Sequence, residues 1–215
     1  SLLAQSDPDF ELVILTAERL PQEYTDRMQA LLAGAPHITL RPVGTDKHYQ
    51  LLKQGYDSVD VGAATHRLMF RLDDDDAVDR DFIRRIKGIA TGLRTLHSRD
   101  VPTVIACNRG FYVQIREGAE NEVFDACERA PLSTGTALLA PVTYPRNPYR
   151  YNHRALAQHY NTYSDITVPS FIRTIHGDNK SNPTQMGITR KMRPAVIDNH
   201  LHENFGLSLD QLKAL

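Results

Sequence analysis

Four consecutive aspartates, Asp73 to Asp76, follow directly on the apolar run Leu68-Met69-Phe70-Arg71-Leu72. Adjacent carboxylates repel: at ~6 Å and an effective dielectric of ~20–40, each close pair costs roughly 1–3 kcal/mol. At the end of a buried strand such a run is tolerated most easily when a cation or a hydrogen-bonding ligand offsets the repulsion. The alternative is a solvated acidic turn. Asp73 and Asp75 make an Asp-x-Asp pair, whose hard oxygens can hold one Mg2+ or Mn2+ and leave positions open for a diphosphate. A second segment, His176-Gly177-Asp178-Asn179-Lys180-Ser181, supplies a neutral ligand, a flexible backbone and small polar donors, as an anion-binding loop requires. Arg71 could offset the charge of a bound anion or pair with the acidic run itself.

The elements that must position these groups are legible from periodicity. Phe10 to Thr16 is too apolar for a half-exposed strand and is expected to be buried on both faces. Pro21 opens a helix with an apolar spacing of Tyr24, Met28, Leu31 and Leu32, which Gly34-Ala35-Pro36 closes. His37 to Val43 reads as a strand, residues 46–66 as mostly helical, and Arg67 to Leu72 as a third strand with the aspartates at its carboxyl end. Asp79 or Asp81 can cap a helix bearing Phe82, Ile83, Ile86 and Ile89. This alternation argues an α/β fold with a parallel sheet, and in such sheets ligands collect beyond the carboxyl ends of the strands. Beyond residue 100, Val101 to Ala106 and Phe111 to Arg116 read as a hairpin with a four-residue loop. Ser133 to Ala140 is a glycine-containing turn running into a strand, Tyr151 to Tyr160 is helical, and Phe171 to Ile175 is a last strand. Ser208 and Gln211 form a capping-box signature.

The 215 residues suit one sizeable domain, and 41% hydrophobic with 24% charged residues is a globular balance. A net charge of −1 gives no basic field for nucleic acid, and no apolar run is long enough to span a bilayer. Two cysteines, Cys107 and Cys127, are expected to be reduced, in a cytoplasmic protein or one peripheral to a membrane. The opening Ser1-Leu2-Leu3-Ala4-Gln5 lacks an initiator Met and reads as the middle of an element, so native residues are expected upstream.

Arg71-Leu72-Asp73-Asp74-Asp75-Asp76-Ala77, followed by Asp81-Phe82-Ile83, resembles the signature of the rhamnosyltransferase family within the GT-A type glycosyltransferases. Leu2 to Asp7, Ser133-Thr134-Gly135-Thr136-Ala137 and His176 to Asn182 are similar to further segments in the same order, so the resemblance covers nearly the whole chain. It implies a GT-A-like (Rossmann-like), mixed, mainly parallel sheet flanked by helices. It also implies a single domain, with residues 1–100 binding a nucleotide-sugar and residues 101–215 forming the acceptor side and a metal/diphosphate loop. The donor would be a nucleotide-sugar, the acceptor a glycan or lipid-linked hydroxyl, and the cofactor Mn2+ or Mg2+. Under it Asp73 faces the ribose or the metal, Asp75 is the main metal ligand, Asp76 orients the sugar or the metal's waters, and His176 completes the metal shell. Asp74 and Arg71 belong to the donor site, Asn179 and Ser181 meet the diphosphate, and Thr16 represents part of the base site. The family's opening strand would lie upstream of Ser1.

No residue stands out as the catalytic base: Glu128, His153, Asp165 and Asp178 all qualify by type. The tyrosines Tyr144, Tyr149, Tyr151, Tyr160 and Tyr163 could stack on sugar or pack with one wet edge. Two other readings use the same carboxylates. A metal-dependent phosphohydrolase or nucleotidyltransferase would need further inward carboxylates near the run. A non-catalytic carbohydrate- or Ca2+-binding module ranks third, because the aspartate run lacks the glycine and the distant glutamate of a Ca2+ loop.

Overall fold

The computed structural model describes residues 1–96, 100–177, 187 and 189–215. Its first layer is a parallel pair, β1 (Leu12–Ala17) and β2 (Ile38–Val43), with α1 (Gln22–Leu32) between them in sequence and α2 (His48–Asp57) following. Contrary to expectation β1 is half-buried, not buried on both faces, because β2 is its hydrogen-bonded neighbour and a two-strand pair has little surface to cover. For the same reason α1 buries no side chain fully, and Tyr24 and Leu31 of its apolar stripe are exposed. The helix expected over 46–66 stops at Asp57; the Ser58 hydroxyl donates to the Gly55 carbonyl (2.7 Å) and takes up one of its last acceptors.

Among the described residues eight further strands form two four-stranded sheets. One has the order β3-β8-β5-β9, from β3 (His66–Phe70), β5 (Thr103–Cys107), β8 (Thr136–Pro141) and β9 (Asn161–Asp165). The other has the order β4-β10-β6-β7, from β4 (Ala77–Val78), β6 (Arg109–Gln114), β7 (Glu122–Cys127) and β10 (Phe171–Ile175). Within them β5 runs parallel to β9 and β10 parallel to β6, while β3–β8, β5–β8, β4–β10 and β6–β7 are antiparallel. The architecture is therefore mixed α/β, and the sheets are not mainly parallel. Regular strand–helix alternation ends after α3 (Phe82–Leu96); β6 and β7 are joined by a short connection of the kind that permits antiparallel pairing, whereas β3–β8, β5–β8 and β4–β10 bring together strands distant in sequence.

The expected hairpin at residues 101–116 does not form. Its two strands are β5 and β6, which join different sheets through the single residue Asn108. Asn108 is buried; its N–H donates to the Asp165 carbonyl (2.8 Å) and its side-chain amide to the Ser164 hydroxyl (2.8 Å). These bonds pull β5 toward β9 and leave β6 free to pair with β10 and β7. The connections β3→β4, β5→β6, β7→β8 and β9→β10 all cross between the two sheets, so a seam collects residues distant in sequence.

Period-two burial holds the body together. Ile105, Cys107, Ala137 and Leu139 face α3 through Phe82, Ile83, Ile86, Ala90 and Leu93. Val104, Ala106, Leu138 and Ala140 face the other way, onto Leu156 and Tyr160. Phe111, Val113 and Ile172 pack on Ile197, Leu201 and Leu212, from α4 (Pro194–His200), the π turn after it and α5 (Leu209–Lys213). The Ser208 capping box that opens α5 is present as expected. Both cysteines are free thiols, and burial pushes the Cys107 thiol up to about 12.

Candidate functional site

The aspartate run spans the seam, between the end of β3 and the start of β4. Its residues face different partners. Asp74 is exposed, while Asp73 Oδ1 accepts a long bond from Arg71 Nη2 (3.5 Å). Asp75 Oδ2 lies 3.0 Å from His176 Nε2. Asp76 Oδ1 accepts from the Thr174 N–H (3.2 Å), its Oδ2 accepts from the Thr134 hydroxyl, and the Thr174 hydroxyl donates to the Asp75 carbonyl (2.6 Å). Thr174 and His176 are two residues apart on β10 and its extension, so both side chains leave on one side of the strand, toward the acidic turn. Burial pushes the Asp76 carboxyl up to about 7; the Thr134 hydroxyl and Arg173 oppose the rise, and Asp75 and Asp73 add to it.

A cationic and aromatic wall backs the turn. Arg173 is buried on β10 and sits over the Tyr112 ring at 6.0 Å. The Tyr112 hydroxyl donates to Glu128 Oε1 (2.6 Å), and Arg154 Nη1 approaches Glu128 Oε2 (3.6 Å). Glu128 is only 4% exposed, and its carboxylate occupies the space that a Cβ on Gly187 would need. On the other side the Arg71 guanidinium lies over the Tyr149 ring at 3.7 Å, and burial pushes the Tyr149 hydroxyl up to about 12. Between them is His153, at the start of a 3-10 turn whose backbone the Asn152 side chain caps at Arg154 N (2.9 Å). Burial pulls the His153 imidazole down to about 4, helped by Arg71, Arg173 and Arg154. It is a neutral imidazole at neutral pH.

Several expected site residues thus share the seam: Arg71, Asp73, Asp75, Asp76, His153, Glu128 and His176. Others do not. Thr16 lies at the end of β1, in the separate two-stranded layer. Asp165 Oδ1 accepts from its neighbour Thr167, at both N–H (2.9 Å) and hydroxyl (2.6 Å), which makes it a turn residue. Asn179, Ser181 and Asp178 lie outside the described residues. Among the described residues no group of three or more His, Cys, Asp or Glu side chains converges as a metal cluster. Asp79 is consumed by Arg85 (2.7 Å and 2.8 Å) and Asp81 accepts from Ser6 (2.5 Å), so neither adds a carboxylate to the site. The segment Leu2 to Asp7 braces the fold, since the Gln5 side chain donates to the Asp79 carbonyl (2.7 Å) and accepts from Ile83 N (3.0 Å), closing the start of α3.

Thr174, Arg173 and Tyr112 are the neighbours that sequence reasoning missed as site-forming groups, whereas Tyr149 is already among the tyrosines singled out for stacking on sugar. Strand alternation at β10, which puts Thr174 beside His176, could have found the first; the others depend on contacts across the sheets.

This is a mixed α/β protein that gathers carboxylates, a histidine and hydroxyl donors at its strand ends. Within that class this chain is a member of the family described as "Putative rhamnosyl transferase", whose model matches residues 1–188. The family is one of glycosyltransferases, which take a nucleotide-sugar donor and an acceptor. No curated protein matches the chain. Among the described residues no helix is long and apolar enough to cross a membrane.

Proposed function

We propose that this protein is a metal-dependent glycosyltransferase of GT-A-like design, moving a sugar such as rhamnose from a nucleotide-sugar to a hydroxyl of a glycan or lipid-linked acceptor. The observation that carries the reading is the approach of Asp75 to His176 across the seam, 3.0 Å apart. Asp75 and His176 are the side chains that would hold a divalent cation there. The Asp75 carboxylate suits Mg2+ or Mn2+, which are held by one or two carboxylates together with substrate phosphates and water; the His176 nitrogen would suit Mn2+ better than the harder Mg2+. Asp73 is the weaker third candidate, since its carboxylate is turned to Arg71. When bound, the cation neutralises the departing diphosphate.

The chain's own groups supply the rest. Asp76 ties the acidic turn to Thr134 and Thr174, and holds the Asp75 carboxylate at the mouth of the seam. Arg71 and Asp74 line the donor side, and Asn179 and Ser181 are assigned to the diphosphate. His153, half-buried at the start of its 3-10 turn, is the base we favour on position: as the acceptor oxygen bonds to the anomeric carbon, its proton passes to the imidazole and the diphosphate leaves with the bonding pair, the lowered basicity of the imidazole making this a weak base at neutral pH. Glu128 is ranked below it, because its carboxylate is already paired with Tyr112 and Arg154.

Calorimetric titration of UDP, dTDP and GDP with and without Mn2+ tests the reading. One nucleotide is expected to bind with metal, and Asp75→Ala is expected to remove that binding while leaving the melting temperature within a few degrees. Retention of metal-dependent binding in the variant removes Asp75 from the site. Turnover of a nucleotide-sugar with no acceptor present would favour a phosphohydrolase instead.

A further inference from the structure

One stretch of the chain is compositionally unlike the rest. Between Glu128 and Asp165 there are 36 residues without a carboxylate, carrying four arginines, two histidines and five tyrosines. The structure folds part of it into a platform. Tyr151 stacks on His159 with ring centroids 3.7 Å apart and planes at 11°, and Tyr160 meets Tyr151 edge-on at 5.8 Å. Arg146 donates to the Tyr151 hydroxyl (2.7 Å) and its guanidinium lies 5.8 Å from the ring centre. Arg150 also lies 5.8 Å from that ring, and 5.7 Å from the ring of Tyr49. Arg146, Arg150 and His159 are exposed. Arg154 is paired with Glu128, whereas Arg146 and Arg150 have no carboxylate partner among the described residues. The fold therefore holds two guanidiniums around an aromatic stack and leaves their charge unmatched.

We propose that the platform of Tyr151, His159, Arg146 and Arg150 binds the acceptor, and that this acceptor is an acidic sugar, a pyranose unit bearing a carboxylate or a phosphate. Flat aromatic rings suit the apolar face of a sugar, and guanidiniums recognise carboxylate and phosphate through paired N–H donors. The platform adjoins the seam. Tyr149, two residues before Tyr151, lies under Arg71, which reaches Asp73; His153, two residues after, is the proposed base. A glycan seated on the platform would thus extend toward the group that takes its proton. Two guanidiniums without a carboxylate partner among the described residues, on a chain of net charge −1, make a local anion site, not the long basic track that nucleic acid needs.

The acceptor role rests on the transferase reading; binding at the platform does not. The test is titration of tetragalacturonate, its methyl ester and glucose 6-phosphate, with inorganic phosphate as the bare anion, in the parent, in R146A/R150A and in R150E. Metal-dependent nucleotide binding is measured in parallel. Tetragalacturonate or glucose 6-phosphate is expected to bind, and which one does separates carboxylate from phosphate recognition. Both variants are expected to weaken that binding about ten- to a hundredfold with nucleotide binding and melting temperature unchanged, and loss of charge in the methyl ester to act likewise. R150E keeps the Arg146–Tyr151 bond, so its loss of binding cannot come from disturbing that bond. The assignment is overturned if neither sugar binds, if the ester binds as well as the acid, if inorganic phosphate binds as tightly as the sugars, or if the variants bind like the parent. Sugar binding without nucleotide binding in the parent would sustain the platform and remove the donor site.

Discussion

His153 and Asp76 are the two side chains whose ionisation the fold displaces most informatively at the site, and they are displaced in opposite senses. His153 takes a proton in the folded protein only near pH 4, whereas an unfolded histidine takes it at about 6.5. Between those values the unfolded state holds the extra proton, so the His153 contribution to stability is present above about 6.5 and is lost as the pH falls toward 4. His153→Asn removes that term. Its melting temperature relative to the parent is expected to rise as the pH is lowered from 7.5 to 4.5; a difference that stays constant across this range would show that the imidazole is not held neutral. Asp76 titrates with the opposite sign, but it does so in both proteins and cancels from the comparison. If His153 is also the base, the same substitution lowers kcat by about a hundredfold or more with nucleotide binding intact.

The seam exists because strands change sheets, and β10 is the element on which this depends. It pairs in parallel with β6, placing Phe171 opposite Gly110. A Cβ on Gly110 would meet both the Phe171 carbonyl and its ring, a backbone collision that side-chain rotation cannot relieve. Gly110→Ala is therefore expected to cost about 3 kcal/mol or more and to lower the melting temperature by roughly 6–12 °C, as calorimetry would show. Displacing β10 also moves Thr174 and His176, so any folded fraction of the variant should bind the nucleotide–metal pair less tightly. Gly135 has the same kind of constraint: its φ of +75° and its approach to the Cys107 carbonyl suit glycine alone.

Over the whole molecule stability is unevenly distributed. Val43 is the one buried hydrophobic side chain in the first 65 residues, and the core residues otherwise come from Met69 onward. The β1–β2 layer rests on the body through contacts such as the Tyr56 hydroxyl on the Phe70 carbonyl (2.7 Å). Local opening there exposes little apolar surface and costs correspondingly little. Backbone amides of β1, α1 and β2 are expected to exchange with solvent at least about tenfold faster than those of β5 and β8; equal protection, read by mass spectrometry, would mean that the layer unfolds only with the body. The site lies on the stable side of this division, which suits a seam that must hold Asp75 and His176 in register.

Local signals in the sequence determined a good part of this. Apolar runs, the Gly34-Ala35-Pro36 break and the Ser208 capping box mark elements that form close to where they are expected, because they depend on residues within a turn or two. The acidic strand end is equally legible, since four adjacent carboxylates are costly wherever they lie. Tertiary structure decided the rest. Whether β5 and β6 pair with each other or with β8, β9 and β10 depends on bonds that Asn108 makes to residues more than fifty positions away. That Asp75 meets His176, and that Arg146 and Arg150 gather around Tyr151 with no carboxylate partner among the described residues, follows from which strands become neighbours. Strand pairing is a competition among distant partners of similar local propensity, and packing of the two sheets settles it.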